Sequence, residues 1–295
     1  MTIFTEINQE TMKKILLLLV TSLVLFACEK EAPEQVADEN GSTPDIFEPT
    51  IVPMGALPGK FTVNAEGKQV YFSKGNLWYG KVEGIEEKTF NFEANQWGFS
   101  SKWNENHVSH FYWNKVAVIA YKKKFDMGYR TKSDIFFTNG AETSAKSDFT
   151  VNGVTGKYRT LSKDECDYLF NKRTVNGGTK EGKSYQIATI NSDVSGGVYG
   201  VILYPDGYTA QTSGTSYTSA DWAAMEAAGC VFLPAAGQRT ESVLGSVNRN
   251  ICYWLSYASS DQFAYAAFSN NGTNVSVIMN FRYLGYSVRL VTDCQ

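Results

Sequence analysis

Two capped helical segments set among short, turn-bounded apolar runs predict an α+β domain over residues 53–295. The order along the chain is strands, helix, strand, helix, strands, which belongs to that class. Gly59-Lys60-Phe61-Thr62-Val63 and Lys68-Gln69-Val70-Tyr71-Phe72 flank Asn64-Ala65-Glu66-Gly67 and read as a hairpin. Phe90-Asn91-Phe92 and Tyr112-Trp113 are further apolar–polar alternations, and Ile135-Phe136-Phe137 is a short apolar run.

The first helix announces itself at Leu161-Ser162-Lys163-Asp164-Glu165-Cys166. Ser162 is the N-cap, Glu165 three residues on completes a capping box, and Leu161 is placed to staple onto Cys166. Tyr168, Leu169 and Phe170 continue the helix, and Asn176-Gly177-Gly178 ends the region. A second helix begins at Thr218 or Ser219, runs from Asp221 through Ala228 and stops at Gly229, a favoured residue just past a helix end. Its Trp222 and Met225, spaced i, i+3, read as a core stripe. Val198-Tyr199-Gly200-Val201-Ile202-Leu203-Tyr204, halted by Pro205-Asp206-Gly207, is a buried-looking strand, and Cys230-Val231-Phe232-Leu233-Pro234 is another.

Upstream of the domain the chain has the grammar of export. Lys13 and Lys14 precede an uncharged run, Ile15 to Ala27, that ends at Cys28. A spanning helix needs about 20 apolar residues, so this shorter run reads as a signal peptide. Leu25-Phe26-Ala27-Cys28 resembles the lipobox of bacterial lipoproteins, with Phe26 departing from the usual small residue. The expectation is a signal peptide over 1–27, with residues 1–11 an upstream extension because Met12-Lys13-Lys14 is a natural start. Cys28 then carries lipid.

Residues 28–52 read as a disordered acidic tether. Residues 29–50 carry a net charge of −6 and few large apolar groups, too little surface to offset ordering entropy. Residues 51–295 carry +3 without a dense basic cluster, so no nucleic-acid partner is expected. Glu29-Lys30-Glu31 directly after the cysteine is similar to the surface-export signal of Bacteroides-type lipoproteins. That similarity implies an outer-membrane lipoprotein facing the cell surface, its lipid anchor in the membrane.

An ordered series of motifs carries a wider resemblance. It runs through Lys68-Gln69-Val70-Tyr71-Phe72-Ser73-Lys74-Gly75-Asn76-Leu77, Tyr158-Arg159-Thr160-Leu161-Ser162-Lys163-Asp164-Glu165 and Gly200-Val201-Ile202-Leu203-Tyr204-Pro205-Asp206. It continues through Val231-Phe232-Leu233-Pro234-Ala235-Ala236-Gly237, Tyr253-Trp254-Leu255-Ser256 and Ser287-Val288-Arg289-Leu290-Val291. Across residues 59–291 the chain resembles Bacteroides-type lipoproteins related to the Fibrobacter major paralogous domain, and distantly the formylglycine-generating-enzyme branch of the C-type lectin fold. The resemblance implies a single C-type-lectin-like domain of short twisted antiparallel sheets with two helices. In some relatives its C-terminal part is the hypervariable target of diversity-generating retroelements. Cys166 and Leu255 depart from the pattern, which commonly has tryptophan and serine there.

The C-terminal third supports binding on its own terms. No lysine follows Lys183, and residues 239–291 are crowded with Ser, Asn, Tyr and Gly, the palette of antibody paratopes. Retroelement mutagenesis acts on adenines, and Ile251, Cys252, Leu255, Phe263, Ile278, Arg282 and Leu284 are reachable from mutated asparagine codons. An equally open reading is that such sequence is what exposed strands and loops of secreted proteins look like. In Asn274-Val275-Ser276-Val277-Ile278-Met279-Asn280-Phe281-Arg282 the period-2 pattern places the odd, all-apolar positions on the core and the even ones outward. The expected ligand-binding residues are Asn248, Asn250, Leu255, Tyr257, Ser259, Asp261, Phe263, Asn274, Ser276, Ile278, Asn280 and Arg282, forming one continuous patch for a protein, glycan or phage ligand.

Catalytic signals are sparse. His107 and His110 are spaced i, i+3 without an evident third ligand, so no metal or other cofactor is expected. There is no Gly-x-Ser-x-Gly elbow, phosphate loop or Cys-x-x-Cys. An oxidoreductase of the formylglycine-generating class is the alternative that the resemblance implies, but Cys252 and Cys294 do not fall on its cysteine motif. Four cysteines besides Cys28 allow three pairings; Cys166 and Cys230 sit at packing positions, and free buried thiols are expected. The anchoring expectation has a direct test: Cys28→Ala expressed in a native-like host should leave the membrane fraction and change electrophoretic mobility. Unchanged membrane association would refute it.

Overall fold

The fold begins with the expected hairpin: β1 (Ala56–Thr62) pairs antiparallel with β2 (Gln69–Ser73), Phe61 opposite Val70. The structure, a computed structural model, describes residues 52–295 except 103, 105, 113–149, 152–153, 156–157, 180, 195, 241–242, 261–262, 271 and 273. The signal segment, Cys28, nearly all of the tether, Trp113, Ile135–Phe137 and Asp261 lie outside the described residues.

Five short strands follow: β3 (Leu77–Lys81), β4 (Lys88–Phe92), β5 (His107–Val108), β6 (Thr150–Val151) and β7 (Val154–Thr155), in the order β5-β3-β4-β6-β7. Helix α1 (Lys163–Asn171) leads to β8 (Tyr185–Ile190) and β9 (Val198–Leu203), and helix α2 (Ser219–Ala227) leads to β10 (Val231–Pro234). These three strands form the antiparallel sheet β10-β9-β8. After the ribbon of β11 (Gln238–Thr240) and β12 (Val243–Gly245) comes the antiparallel sheet β13 (Asn250–Ala258), β14 (Phe263–Asn270) and β15 (Ser276–Phe281). The last strand, β16 (Val291–Asp293), returns to β2, so one sheet reads β1-β2-β16. Among the described residues, small, mostly antiparallel sheets with two short helices make an α+β architecture.

Local chemistry explains both helices. The Ser162 hydroxyl accepts from the Glu165 amide at 3.1 Å while the Glu165 carboxylate accepts from the Ser162 amide at 2.9 Å. Thr218 and Asp221 make the same reciprocal pair at α2. Each box satisfies amide donors that a helix start leaves without intrahelical partners. Gly229 follows α2 at φ 88°, a conformation open to glycine. It lies against Gly59, where an added Cβ would stand 2.3 Å from the Gly229 carbonyl oxygen.

Among the described residues, three apolar cores arise because the central strands are buried on both faces. In β9, Val201 and Leu203 enter a core with Phe61, Phe72, Leu169 and Tyr253, whereas Ile202 enters another with Trp222, Met225 and Phe232 from α2 and β10. In β13, Ile251, Tyr253 and Leu255 join the first core, and Cys252 and Trp254 face a third with Phe111, Tyr286 and Val288. Two-sided burial turns such strands into continuous apolar runs rather than alternations. Trp254 is 1 % exposed; its ring lies 4.4 Å from Tyr286 and its indole nitrogen donates to the Phe111 carbonyl at 2.7 Å. The expected core stripe of Trp222 and Met225 is buried.

Buried arginines join the segments. The Arg159 guanidinium meets Glu165 with two bonds, 2.7 and 2.9 Å, and also donates to Asp293 of β16. Lys68 adds a contact to Glu165 at 3.0 Å. One charged knot therefore holds the first hairpin, the start of α1 and the last strand. Arg173 similarly grips Asp206 at 2.8 Å, and Asp206 accepts from Thr62 and Gln69 of the first hairpin. Burial opposes ionisation of Glu165 and Asp293, yet the Arg159 guanidinium holds both carboxyls below their ordinary range.

Two expectations follow for stability. Trp254→Ala should cost roughly 3–5 kcal/mol through the cavity it leaves, and Ser162→Ala roughly 1 kcal/mol; denaturant melts that find Trp254→Ala as stable as the parent would contradict the packing. Because the folded carboxyls titrate below their unfolded values, their stabilisation is complete above the unfolded range and is lost as pH falls through the folded values. Glu165→Gln should therefore weaken the acid-side loss of stability, measured by melts across the acid range.

Candidate binding face

The last sheet is the setting for the expected binding residues, and its register determines which side chains reach solvent. Residues directly opposite on neighbouring strands share a face. Tyr253, Ala267 and Val277 are level, as are Tyr265 with Met279 and Phe263 with Phe281. All these lie on the face that α1 covers near Val275 and Val277, which pack on the first core. The helix starts at Lys163, whose ammonium sits 5.7 Å from the Tyr265 ring centre. Beyond that point the apolar row continues uncovered: Met279 is 57 % and Phe281 38 % exposed.

The result is an aromatic shelf. Phe263 and Phe281 have ring centres 4.6 Å apart, Tyr283 stacks on Phe281 at 5.0 Å, and Tyr257, 41 % exposed, lies 5.8 Å from Tyr265. Met279, opposite Tyr265, completes a surface of five rings and a thioether. The tight 258–263 connection supports its rim: the Ser259 amide donates to the Phe263 carbonyl at 2.9 Å, and the Phe263 amide to the Ser260 hydroxyl at 3.2 Å.

Several expected site residues move. The outward–inward assignment holds from Asn274 to Ser276, with Asn274 and Ser276 exposed and Val275 buried, and then fails. Met279 and Phe281, expected in the core, face solvent, while Arg282, expected outward, is fully buried. Ile278 is half-buried, level with Trp254 and Ala266, and Asn280 donates to the Tyr286 hydroxyl at 2.6 Å. The reason is that both faces of this sheet have cover. The odd face is shielded by α1 only at one end, and the even face is backed by the core around Trp254 and Tyr286. Leu255, expected at the surface, is 3 % exposed because its parity in β13 aims it at the first core.

The expected continuous patch is also divided. Asn250 pairs with Asn270 at one end of the sheet, with exposed Asn248, Asn274 and Ser276 nearby in sequence, whereas Tyr257, Ser259 and Phe263 belong to the other end. About seven residues of β14, roughly 23 Å at ~3.3 Å per residue, separate those ends. Tyr265, Met279, Phe281 and Tyr283 were not foreseen as site residues. Their exposure follows from where the cover of α1 ends, which the period-2 pattern does not carry.

Chemistry elsewhere is subdued. His107 pairs with Glu93 at 2.6 Å and stacks on Trp78. His110 is buried, which lowers its pKa to about 4, and its neutral ring donates from Nε2 to the Ala236 carbonyl at 2.9 Å. The two histidines thus serve different partners, and among the described residues no group of three His, Cys, Asp or Glu side chains is placed to hold a metal. Cys166, Cys230 and Cys252 are free and buried, and Cys294 is free and partly exposed. Burial raises all four thiols, Cys230 to about 12, which leaves each a poor nucleophile. Set against family models, curated proteins and solved structures, the chain finds no match in any of the three comparisons.

Proposed function

We propose that this chain is a surface-displayed lipoprotein, anchored through Cys28, whose domain has a C-type-lectin-like fold and binds a protein ligand through the aromatic shelf. The carrying observation is the row of exposed Tyr257, Met279 and Phe281 with half-buried Phe263, Tyr265 and Tyr283 on an otherwise well-buried sheet. Aromatic and methionine side chains concentrate at the cores of protein interfaces, where their large area is desolvated at little entropic cost. A thioether among rings also adapts its shape to a partner. The lectin-like reading draws support from the first hairpin closing on the last strand and from the late strands forming a sheet of their own.

The test uses the full chain made soluble by Cys28→Ala, fluorescently labelled and titrated onto bacterial and epithelial cells by flow cytometry. Binding should disappear when the cells are treated with protease. Met279→Ser combined with Phe281→Ser should weaken it by about tenfold or more, the loss of one or two interface anchors, with an unchanged melting curve. Equal binding by the double variant would remove the shelf from the interface. Binding that survives protease and is lost on glycosidase treatment would overturn the protein ligand.

A further inference from the structure

A concavity lies near the opposite end of β14 from the shelf, beside the outer strand of the β10-β9-β8 sheet. It is a cleft of about 450 Å³ beside β8, bordered by Gly272 of the β14–β15 turn. The volume falls within the roughly 300–1,000 Å³ of small-molecule sites. Its floor runs along β8 from Tyr185 to Thr189: Thr189 is opposite Tyr199, and Ile187 is two residues along on the same side. Tyr199 is half-buried: it packs against the first core and also lines the cleft.

The walls are held in place before anything binds. On one side Lys183 and Gly182 close a turn onto Thr179, their amides donating to its hydroxyl and carbonyl at 3.0 Å. On the other the Thr189 amide donates to the Thr215 carbonyl at 2.9 Å. Behind them Gln186 accepts from Tyr204 and Tyr217 at 2.8 and 2.9 Å, which fixes the strand's outward row. Tyr185, only 6 % exposed, accepts from the Val275 amide at 3.2 Å and keeps its own hydroxyl proton to give.

The lining defines a ligand chemistry. Glu181 supplies a carboxylate acceptor, Lys183 an ammonium donor, and Thr189, Thr215 and the two tyrosines supply hydroxyls, above an apolar strip of Ile187 and the Tyr199 ring. A phosphate or carboxylate ligand would meet Glu181 as a like charge, and an acyl chain would leave these polar groups without partners. A neutral sugar ring satisfies both halves: its hydroxyls donate and accept at once, and its C–H face lies on an aromatic ring. We propose that this cleft is a saccharide subsite for one or two neutral hexose residues, with Tyr199 as the stacking platform and Glu181 and Lys183 orienting the hydroxyls. It is separate from the shelf, and neither reading depends on the other.

The experiment is saturation-transfer NMR on the Cys28→Ala chain with glucose, galactose, mannose, N-acetylglucosamine and their disaccharides, with and without EDTA. At least one sugar should receive saturation on its ring C–H protons, unchanged by EDTA. Tyr199→Ala should weaken that sugar about tenfold or more, as loss of a binding anchor does, while Tyr199→Phe retains most of the affinity. Glu181→Gln, at an exposed position that leaves the fold intact, should weaken it too, and the Met279→Ser/Phe281→Ser chain should bind sugar as the parent does. The subsite is refuted if no sugar of the panel binds, if Glu181→Gln and Tyr199→Ala bind as the parent, or if EDTA abolishes binding.

Discussion

The guanidinium of Arg289, wholly enclosed by protein, gives its protons to the peptide carbonyls of Ser73, Gln96 and Phe232 at 3.0, 2.9 and 2.6 Å. Short, irregular strands leave many carbonyls that no ladder satisfies, and a buried unpaired carbonyl is expensive. A planar, multiply donating cation can serve several of them at once. Burial lowers the Arg289 pKa to about 10, so it still carries its charge at neutral pH. Arg159 and Arg173 do comparable work with carboxylates in place of carbonyls, and together these three residues hold sheets that share few ladder bonds.

What was legible in the sequence was what local chemistry decides. The Ser162/Glu165 box, the Thr218 start and the Gly229 stop are set by groups within a turn of one another, and each is in place. The Phe61–Val70 hairpin is equally local. Leu255 and the 278–282 run were misread because period-2 patterning tells which residues share a face, not what covers that face. Arg282 looked like a surface residue on composition alone, yet it is enclosed, and Met279 looked like core, yet α1 ends its cover before reaching it. That information sits in the distance between α1 and the far end of β15, which no short window of sequence contains.

The two proposed recognition surfaces sit where a buried sheet runs out of cover. At the Phe263–Phe281 end the odd face emerges from beneath α1 as the shelf; at the Asn270 end Gly272 borders the cleft beside β8. The middle of the same sheet is occupied by Tyr253, Trp254, Ala266 and Ala267, which pack on both sides. Rigid strands thus carry side chains to two mouths without asking the core to change, an arrangement suited to binding by pre-formed surfaces.

The final segment also sets the timetable of folding. Leu290 accepts from Ser73, Val288 from Leu77, Tyr286 exchanges bonds with Phe111, Val291 with Arg159, and β16 fills the side of β2 away from β1. Each of these partners is made more than a hundred residues earlier, so a chain emerging N-terminus first has a hairpin, a helix start and the buried Arg159 waiting on residues 286–293. Contacts so distant in sequence close slowly because loop entropy is lost before they form. Until residues 286–293 are in place, β2 keeps an open edge and Arg159 lacks Asp293, and a chain without them exposes a strand that any neighbour can pair with.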